Sequence, residues 1–352
     1  MKKILVIQHK MIGDVLTSTI ILETLRKNFP DAELHYLINK NTTAVVENNP
    51  FIDKLIIFTP KETKFTAIKN SVKNEKYDVV IDVYSKMNSG LITFFSNAPV
   101  TIGIYKNYLK FFYTHIVKNL KVSFENIPLA YENRFNLLKP LKIQPNYTVV
   151  PKIYLTHEEK NQVAKTALQN NVQFGNQDYL MVNILGSDIS KTYPASYMAK
   201  FLDLVAKRFP EYHFLLNYIP SQQEEVNAII TLCSEKTKQH INPYYAPNLR
   251  DFIVLTSFCK AVIGNEGGAI NIGKALGIPT FAIFSPWIRI ETWGSSQNKN
   301  HQNIHLKNYK PELFKNYKQK EFKKRAKELY QTFHPELFIK EFEHFINKNI
   351  NK

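Results

Sequence analysis

Short apolar runs alternate with helix-period segments, and the alternation occurs twice along the chain. The first series is ILVIQ (4–8), ELHYLI (33–38), KLIIF (54–58), VVIDVY (79–84) and VTIGI (100–104). Between its first two members, VLTSTIILETLRKNFP places Val15, Ile20, Leu22 and Leu25 at helical spacing, with Pro30 as the stop. A β-α-β pattern with short connections folds into a parallel sheet covered by helices. The rhythm loosens through NYTVVPKIYLTHEEK, where Thr156-His157-Glu158-Glu159 reads as a helix start. A second series follows: YLMVNIL (179–185), HFLLNY (213–218), AVIGNE (261–266) and TFAIFSP (280–286), with SYMAKFLDLVAKRFP as a helix between the first two. Residues 311–349 are helical and amphipathic, without a strand signal. The expected class is α/β: Rossmann-like domains over 1–165 and 166–325, then a helical tail, 326–352, packing back on the first domain.

A chain of 352 residues with 44% apolar and 22% charged residues is globular and long enough for two domains. The opening MKKILVIQHK has too short an apolar run for a signal peptide, and no stretch is long enough to span a bilayer. Cys233 and Cys259 offer neither a disulfide framework nor zinc spacing, so a cytoplasmic protein is expected. The net charge of +16 favours anionic partners, or reflects a biased composition. YKNYLKFFYTHIVKNLK (105–121) interleaves Lys106, Lys110, Lys118 and Lys121 with aromatic rings, a composition suited to a membrane interface. The lysines of 307–327 fit a solvated helical face equally well. No nucleic-acid recognition motif is present, and no nucleic-acid partner is expected.

In open parallel sheets ligands bind beyond the carboxyl ends of the strands, which directs attention to the residues after each apolar run. After ILVIQ comes HKMIGDVL, where Gly13 permits a tight turn. Asp14 is there either a helix N-cap or a general base facing a cleft. After YLMVNIL, Gly186 and Ser187 form a loop with Lys191 nearby, either a phosphate site or an ordinary turn; the spacing is not that of a Walker loop. After AVIGN, Glu266 is followed by Gly267 and Gly268 and a helix from about Ala269 to Leu276. A carboxylate there suits hydroxyl groups, as in dinucleotide folds, while the glycine amides and helix N-terminus suit a diphosphate. Together these parts describe a nucleotide-diphosphate site.

With those residues in place, most of the chain resembles the bacterial ADP-heptose:lipopolysaccharide heptosyltransferases, glycosyltransferase family 9, whose GT-B fold sets two Rossmann-like domains face to face. ILVIQHKMIGDVLTSTIILETLRKNFP is similar to the family's opening strand and Gly-Asp turn, which implies Asp14 as catalytic base. YDVVIDVYSKMNSG and TIGI fit its fourth and fifth strands. SDISKTYP is similar to its Ser-x-x-x-Lys-x-Trp-Pro segment, implying Lys191 as the diphosphate lysine, with Tyr193 in place of tryptophan. IPSQQEEV resembles the loop whose glutamate contacts the nucleoside, implying Glu224 or Glu225. The family's Asp-Ser/Thr-Gly-x-x-His pattern, aligned on Ala275-Leu276-Gly277, falls on Glu266, Gly267, Gly268 and Asn271, so the hydroxyl and the imidazole are both replaced.

The resemblance implies inverting transfer of a heptose-like sugar from a nucleotide-diphosphate donor such as ADP-heptose, with no cofactor. No Asp-x-Asp pair occurs, so no metal is expected and Lys191 and the helix dipole take its place. The implied acceptor is an anionic lipid-linked saccharide at the inner face of the cytoplasmic membrane, with Gly13, Lys106 and Lys110 on the acceptor and membrane side. An NAD-dependent oxidoreductase is disfavoured because HKMIGDVL lacks G-x-G-x-x-G. The alternatives kept are an inactive GT-B-fold binding protein and a basic nucleic-acid-binding protein.

Overall fold

A computed structural model describes residues 2–59, 62–294, 300–315 and 319–350 and divides the chain into two units: Met1–Tyr154 with Glu291–Gln297, and Leu155–Ile290 with Asn298–Lys352. The first unit holds strands β1 (Lys3–Ile7), β2 (Glu33–Ile38), β3 (Lys54–Ile57), β4 (Val79–Asp82), β5 (Val100–Ile104) and β6 (His115–Val117). They form one parallel sheet in the order β3-β2-β1-β4-β5-β6. Ile4 to Ile7 are buried because β1 is central and covered on both faces. The strand order reverses between β1 and β4, which opens a crevice at their carboxyl ends.

The second unit repeats this plan with β7 (Asp178–Asn183), β8 (Tyr212–Asn217), β9 (Ile241–Asn242), β10 (Ala261–Asn265), β11 (Thr280–Ile283) and β12 (His301–Ile304). Its parallel order is β12-β11-β10-β7-β8-β9, so its crevice lies between β7 and β10. Three strands fall outside the apolar pattern. β6, β9 and β12 all lie at sheet edges, and their residues are polar, exposed or few.

The division differs from the expected one at both ends of the second unit. The helix His157–Gln169 belongs to the second unit rather than the first. Thr156 and Glu159 form its capping box, and Glu159 also accepts from Arg250 Nε at 2.8 Å and Nη2 at 3.1 Å. Those bonds, Arg250 above all, hold the Glu159 carboxyl down at about 2.

The tail also departs from expectation: it belongs to the second unit and packs on that unit's own sheet. Phe338, Phe342, Phe345 and Ile346 join Phe201 and Phe281 in one core, with Phe281 edge-on to Phe342 at 5.0 Å. Tyr193 donates its hydroxyl to the Phe333 carbonyl, and Arg208 pairs with Glu343. Each phenylalanine buried there contributes on the order of 2 kcal/mol.

Candidate functional site

In the first unit the chain leaves β1 and turns at Met11, whose φ of 69° is left-handed, before the helix Ile12–Asn28. The turn thus falls on Met11 and not on Gly13, which is already helical. Met11 also holds the N-cap position, so Asp14, in the first helical turn, is not the cap. The Asp14 side chain is 33% exposed and accepts from Arg134 Nη2 through Oδ1 at 2.7 Å. Arg134 is fixed from other sides as well. Its Nη1 donates to the Ala130 carbonyl at 2.9 Å, its Nε to Ser18 Oγ at 3.1 Å, and its guanidinium lies 5.9 Å from the Trp293 ring. Asp14 Oδ2 makes no hydrogen bond to the described residues. One carboxylate oxygen is anchored and the other is open.

Asp14 borders a cavity of about 340 Å³, with Gln8, Tyr84, Lys86, Asn133 and Arg134 among its walls. A second cavity, of about 420 Å³, shares Tyr84 and Lys86 and adds His9, Lys10, Asn88 and Tyr108. Lysines, amides and tyrosine faces at the carboxyl ends of β1 and β4 suit an anionic saccharide. His9 is a satisfied core residue: Nε2 contacts the Phe58 carbonyl at 2.5 Å, and burial lowers its pKa.

Asp82, the last residue of β4, is fully buried and accepts from the Ser85 N–H and the Tyr113 hydroxyl, each at 2.7 Å. Burial nevertheless pushes it up to about 6. The Lys106 ammonium donates to the Ser85 carbonyl, so this lysine braces the loop after β4 instead of facing outward. Lys110 remains exposed, 5.0 Å from the Phe111 ring.

In the second unit the neighbouring strands β10, β7 and β8 each end in asparagine, and these three side chains form a ladder. Asn217 Nδ2 donates to Asn183 Oδ1 at 2.9 Å, and Asn183 Nδ2 to the Asn265 carbonyl at 2.6 Å. Asn265, fully buried, donates to the carbonyls of Asn183 at 3.0 Å and Ile184 at 2.9 Å and accepts from the Tyr193 N–H at 2.7 Å. The close approach needs Gly264, whose φ is 107° and whose added Cβ would lie 2.6 Å from the Asn183 carbonyl oxygen.

This ladder presents Glu266, which is only 9% exposed. Burial raises its pKa, opposed by the charges of Lys191 and Lys274. Burial in turn lowers Lys274 to about 8, with Glu266 opposing. Gly267 caps the helix Gly268–Ala275, one residue earlier than expected, and Asn271, half-buried, donates its N–H to the Gly267 carbonyl at 3.2 Å. Lys191 ends a single 3-10 turn, Ile189–Lys191. Ser285 Oγ and Trp287 Nε1 both donate to the Ser190 carbonyl, at 2.6 and 3.0 Å, and so pin that turn.

Not every expected donor is available. The Gly186 N–H donates to Thr192 Oγ1 at 3.1 Å, so it does not serve a phosphate; the glycine is needed instead because a side chain would strike the Lys191 backbone. Ser187 is exposed. Glu224 and Glu225 are both exposed in the first turn of the helix Gln223–Leu232. Gln222 is the residue that reaches the loop, Nε2 lying 3.4 Å from the Gly186 carbonyl. The structure therefore brings Lys191 and Glu266 together and adds Lys274 and Trp287, which the sequence reading did not single out. Among the described residues no group of three or more His, Cys, Asp or Glu is arranged to hold a metal ion.

Two parallel six-stranded sheets with this order, each bearing polar and charged groups at its carboxyl-end crevice, are the two Rossmann-like domains of the GT-B fold. The profile described as "Glycosyltransferase family 9 (heptosyltransferase)" matches residues 65–324, and the chain belongs to that family. It is 23% identical to lipopolysaccharide heptosyltransferase 1 of Campylobacter coli, over 80% of this chain and 83% of that protein. A family 9 glycosyl transferase structure from Veillonella parvula DSM 2008 superposes with a TM-score of 0.72 at 20% identity, covering 94% of this chain and 97% of that one. An E. coli heptosyltransferase solved with ADP-2-deoxy-2-fluoro heptose gives 0.64 at 15% identity, over 86% and 92%.

Proposed function

We propose that this glycosyltransferase moves a heptose-like sugar from a nucleoside-diphosphate donor to a hydroxyl of a lipopolysaccharide-core or other anionic lipid-linked saccharide, with inversion and without a metal. The observation that carries the reading is the Asp14 carboxylate, anchored through one oxygen by Arg134 and open at the other, on the wall of a cavity. Asp14 Oδ2 removes the proton as the acceptor hydroxyl attacks the anomeric carbon. The bond to the diphosphate breaks, and Lys191, the amides after Glu266 and the helix N-terminus take up the departing charge. Glu266 repels phosphate and serves donor hydroxyls. The relatives named for lipopolysaccharide, and the neighbour solved with an ADP-heptose analogue, support this substrate class.

Thermal unfolding with ADP, GDP, UDP and CDP, all in EDTA, tests the donor site. One nucleotide should raise the melting temperature selectively, since a ligand at a hundred times its Kd stabilises by about 2.7 kcal/mol. Lys191→Ala should weaken that nucleotide by at least about tenfold. No shift with any nucleotide would sink the donor assignment.

We further propose that the first unit rests peripherally on the cytoplasmic membrane surface. No helix among the described residues is long and apolar enough to cross a membrane. Phe111 is 78% exposed, Tyr108 and Phe124 are exposed too, and Lys110 and Lys118 lie beside rings of the same region. Replacing Lys110 and Lys118 by Ala together should reduce binding to vesicles containing anionic lipid, at about 1 kcal/mol per lysine. Equal binding would remove the membrane part alone.

A further inference from the structure

Trp287, on the loop after β11, has two ammonium groups beside its ring: Lys191 Nζ at 5.7 Å from the centroid and Lys323 Nζ at 5.1 Å. Lys323 comes from the tail helix Gln319–Lys324, distant in sequence from the strand-end loops. Among the described residues neither lysine makes a direct ion pair with a carboxylate, although the charge of Lys191 acts on Glu266. The indole is not free to drift, because its N–H is bonded to the Ser190 carbonyl at the base of the Lys191 turn. Two cations thus share one fixed aromatic ring, Glu266 is the carboxylate whose charge Lys191 feels, and cation–π attraction is worth little at an exposed site.

The next tail helix points to the same place. Tyr330 is buried, yet its hydroxyl makes no hydrogen bond of acceptable geometry. Burial pushes its pKa up, opposed by the neighbouring Ser285 hydroxyl and reinforced by the charges of Glu266 and Asp188. Charge balance requires more than Lys191. A nucleoside diphosphate is multiply anionic and Glu266 adds a negative charge, while half-buried Lys274 stands in the field of that carboxylate.

We propose that Lys323 is a second cation for the donor's diphosphate, supplied by the tail and oriented by Trp287 beside Lys191. The proposal rests on the second unit's being the donor site. It gives the tail a role in binding beyond covering the sheet.

Titration calorimetry separates the two ideas, using the nucleoside diphosphate that gives the largest thermal shift and the matching nucleoside without phosphates. Lys323→Ala should weaken the diphosphate about tenfold and leave the nucleoside unchanged. Lys323→Arg should keep most of the affinity, and Lys327→Ala, an exposed lysine on the following helix, should bind as the parent does. If Lys191→Ala weakens the diphosphate and Lys323→Ala does not, the tail cation is refuted and the donor site stands. Equal weakening of nucleoside and diphosphate by Lys323→Ala would make its role structural and overturn the proposal. A parent protein that binds none of the four diphosphates would overturn both.

Discussion

Asp14→Asn lowers the rate of sugar transfer by about a hundred- to ten-thousand-fold while nucleotide binding and the melting temperature stay close to the parent values. The amide is the informative replacement because of Arg134. That guanidinium is buried, and its Nη2 donates to Asp14 Oδ1 at 2.7 Å. Alanine would leave it unpaired, a change that itself costs about 3–5 kcal/mol, and would confound catalysis with folding. The amide oxygen still accepts from Nη2, so the arginine keeps a partner. What the amide cannot do is take a proton through its other atom, the position that Oδ2 now leaves open. Steady-state kinetics with an acceptor saccharide, paired with calorimetry for the nucleotide, reads both quantities. A variant retaining more than a tenth of the parent rate would remove Asp14 as the base.

Arg134 also shows where sequence reasoning stops. It lies 120 positions from Asp14, and nothing around LAYENRFN marks it, because its role exists only once the helix Leu129–Asn136 packs beside the helix Ile12–Asn28. The central strands are different. Runs such as ILVI and AVI are apolar on both faces because they lie inside parallel sheets, so their own composition declares them. HIV, IN and HQNI pair only at an edge, and a polar or two-residue edge strand has no pattern to read. The capping box at Thr156 was legible for a local reason, since cap and acceptor lie three residues apart.

The tail's amphipathic pattern shows that one face is buried but not which sheet buries it; that face carries Phe342, Phe345 and Ile346. As candidates for the site, Asp14, Lys191 and Glu266 were singled out by one rule, that ligands gather at the carboxyl ends of parallel strands. The asparagines at the ends of LMVN, FLLN and VIGN were an equally visible regularity. Their meaning depends on β8, β7 and β10 lying side by side, which the sequence order does not display.

That ladder gives the second large effect: Asn265→Asp, a change of one atom, should destabilise the second unit by about 4 kcal/mol at neutral pH. The size and shape of the side chain barely change, so packing is not what is lost. Nδ2 donates to the carbonyls of Asn183 and Ile184 at 3.0 and 2.9 Å, and the site is fully buried. In the aspartate an oxygen would face those two carbonyl oxygens with no proton between them, while the Tyr193 N–H would still find its acceptor. Burial and the two carbonyls both disfavour the anion, so the native pKa of the new carboxyl rises above its unfolded value. The folded state then binds the extra proton more readily than the unfolded chain does. The penalty is therefore greatest at neutral pH and shrinks as the pH falls through the raised native pKa, because a protonated carboxyl can donate to one of the two carbonyls. Urea unfolding at neutral and mildly acidic pH, referenced to the parent at each, checks both the size and the sign. The Lys191 turn should loosen with it, because Tyr193 follows Lys191 by two residues and is bonded to Asn265. A pH-independent loss, or one below about 1 kcal/mol, would show that the asparagine fills space there and that its hydrogen bonds do not hold the crevice in shape.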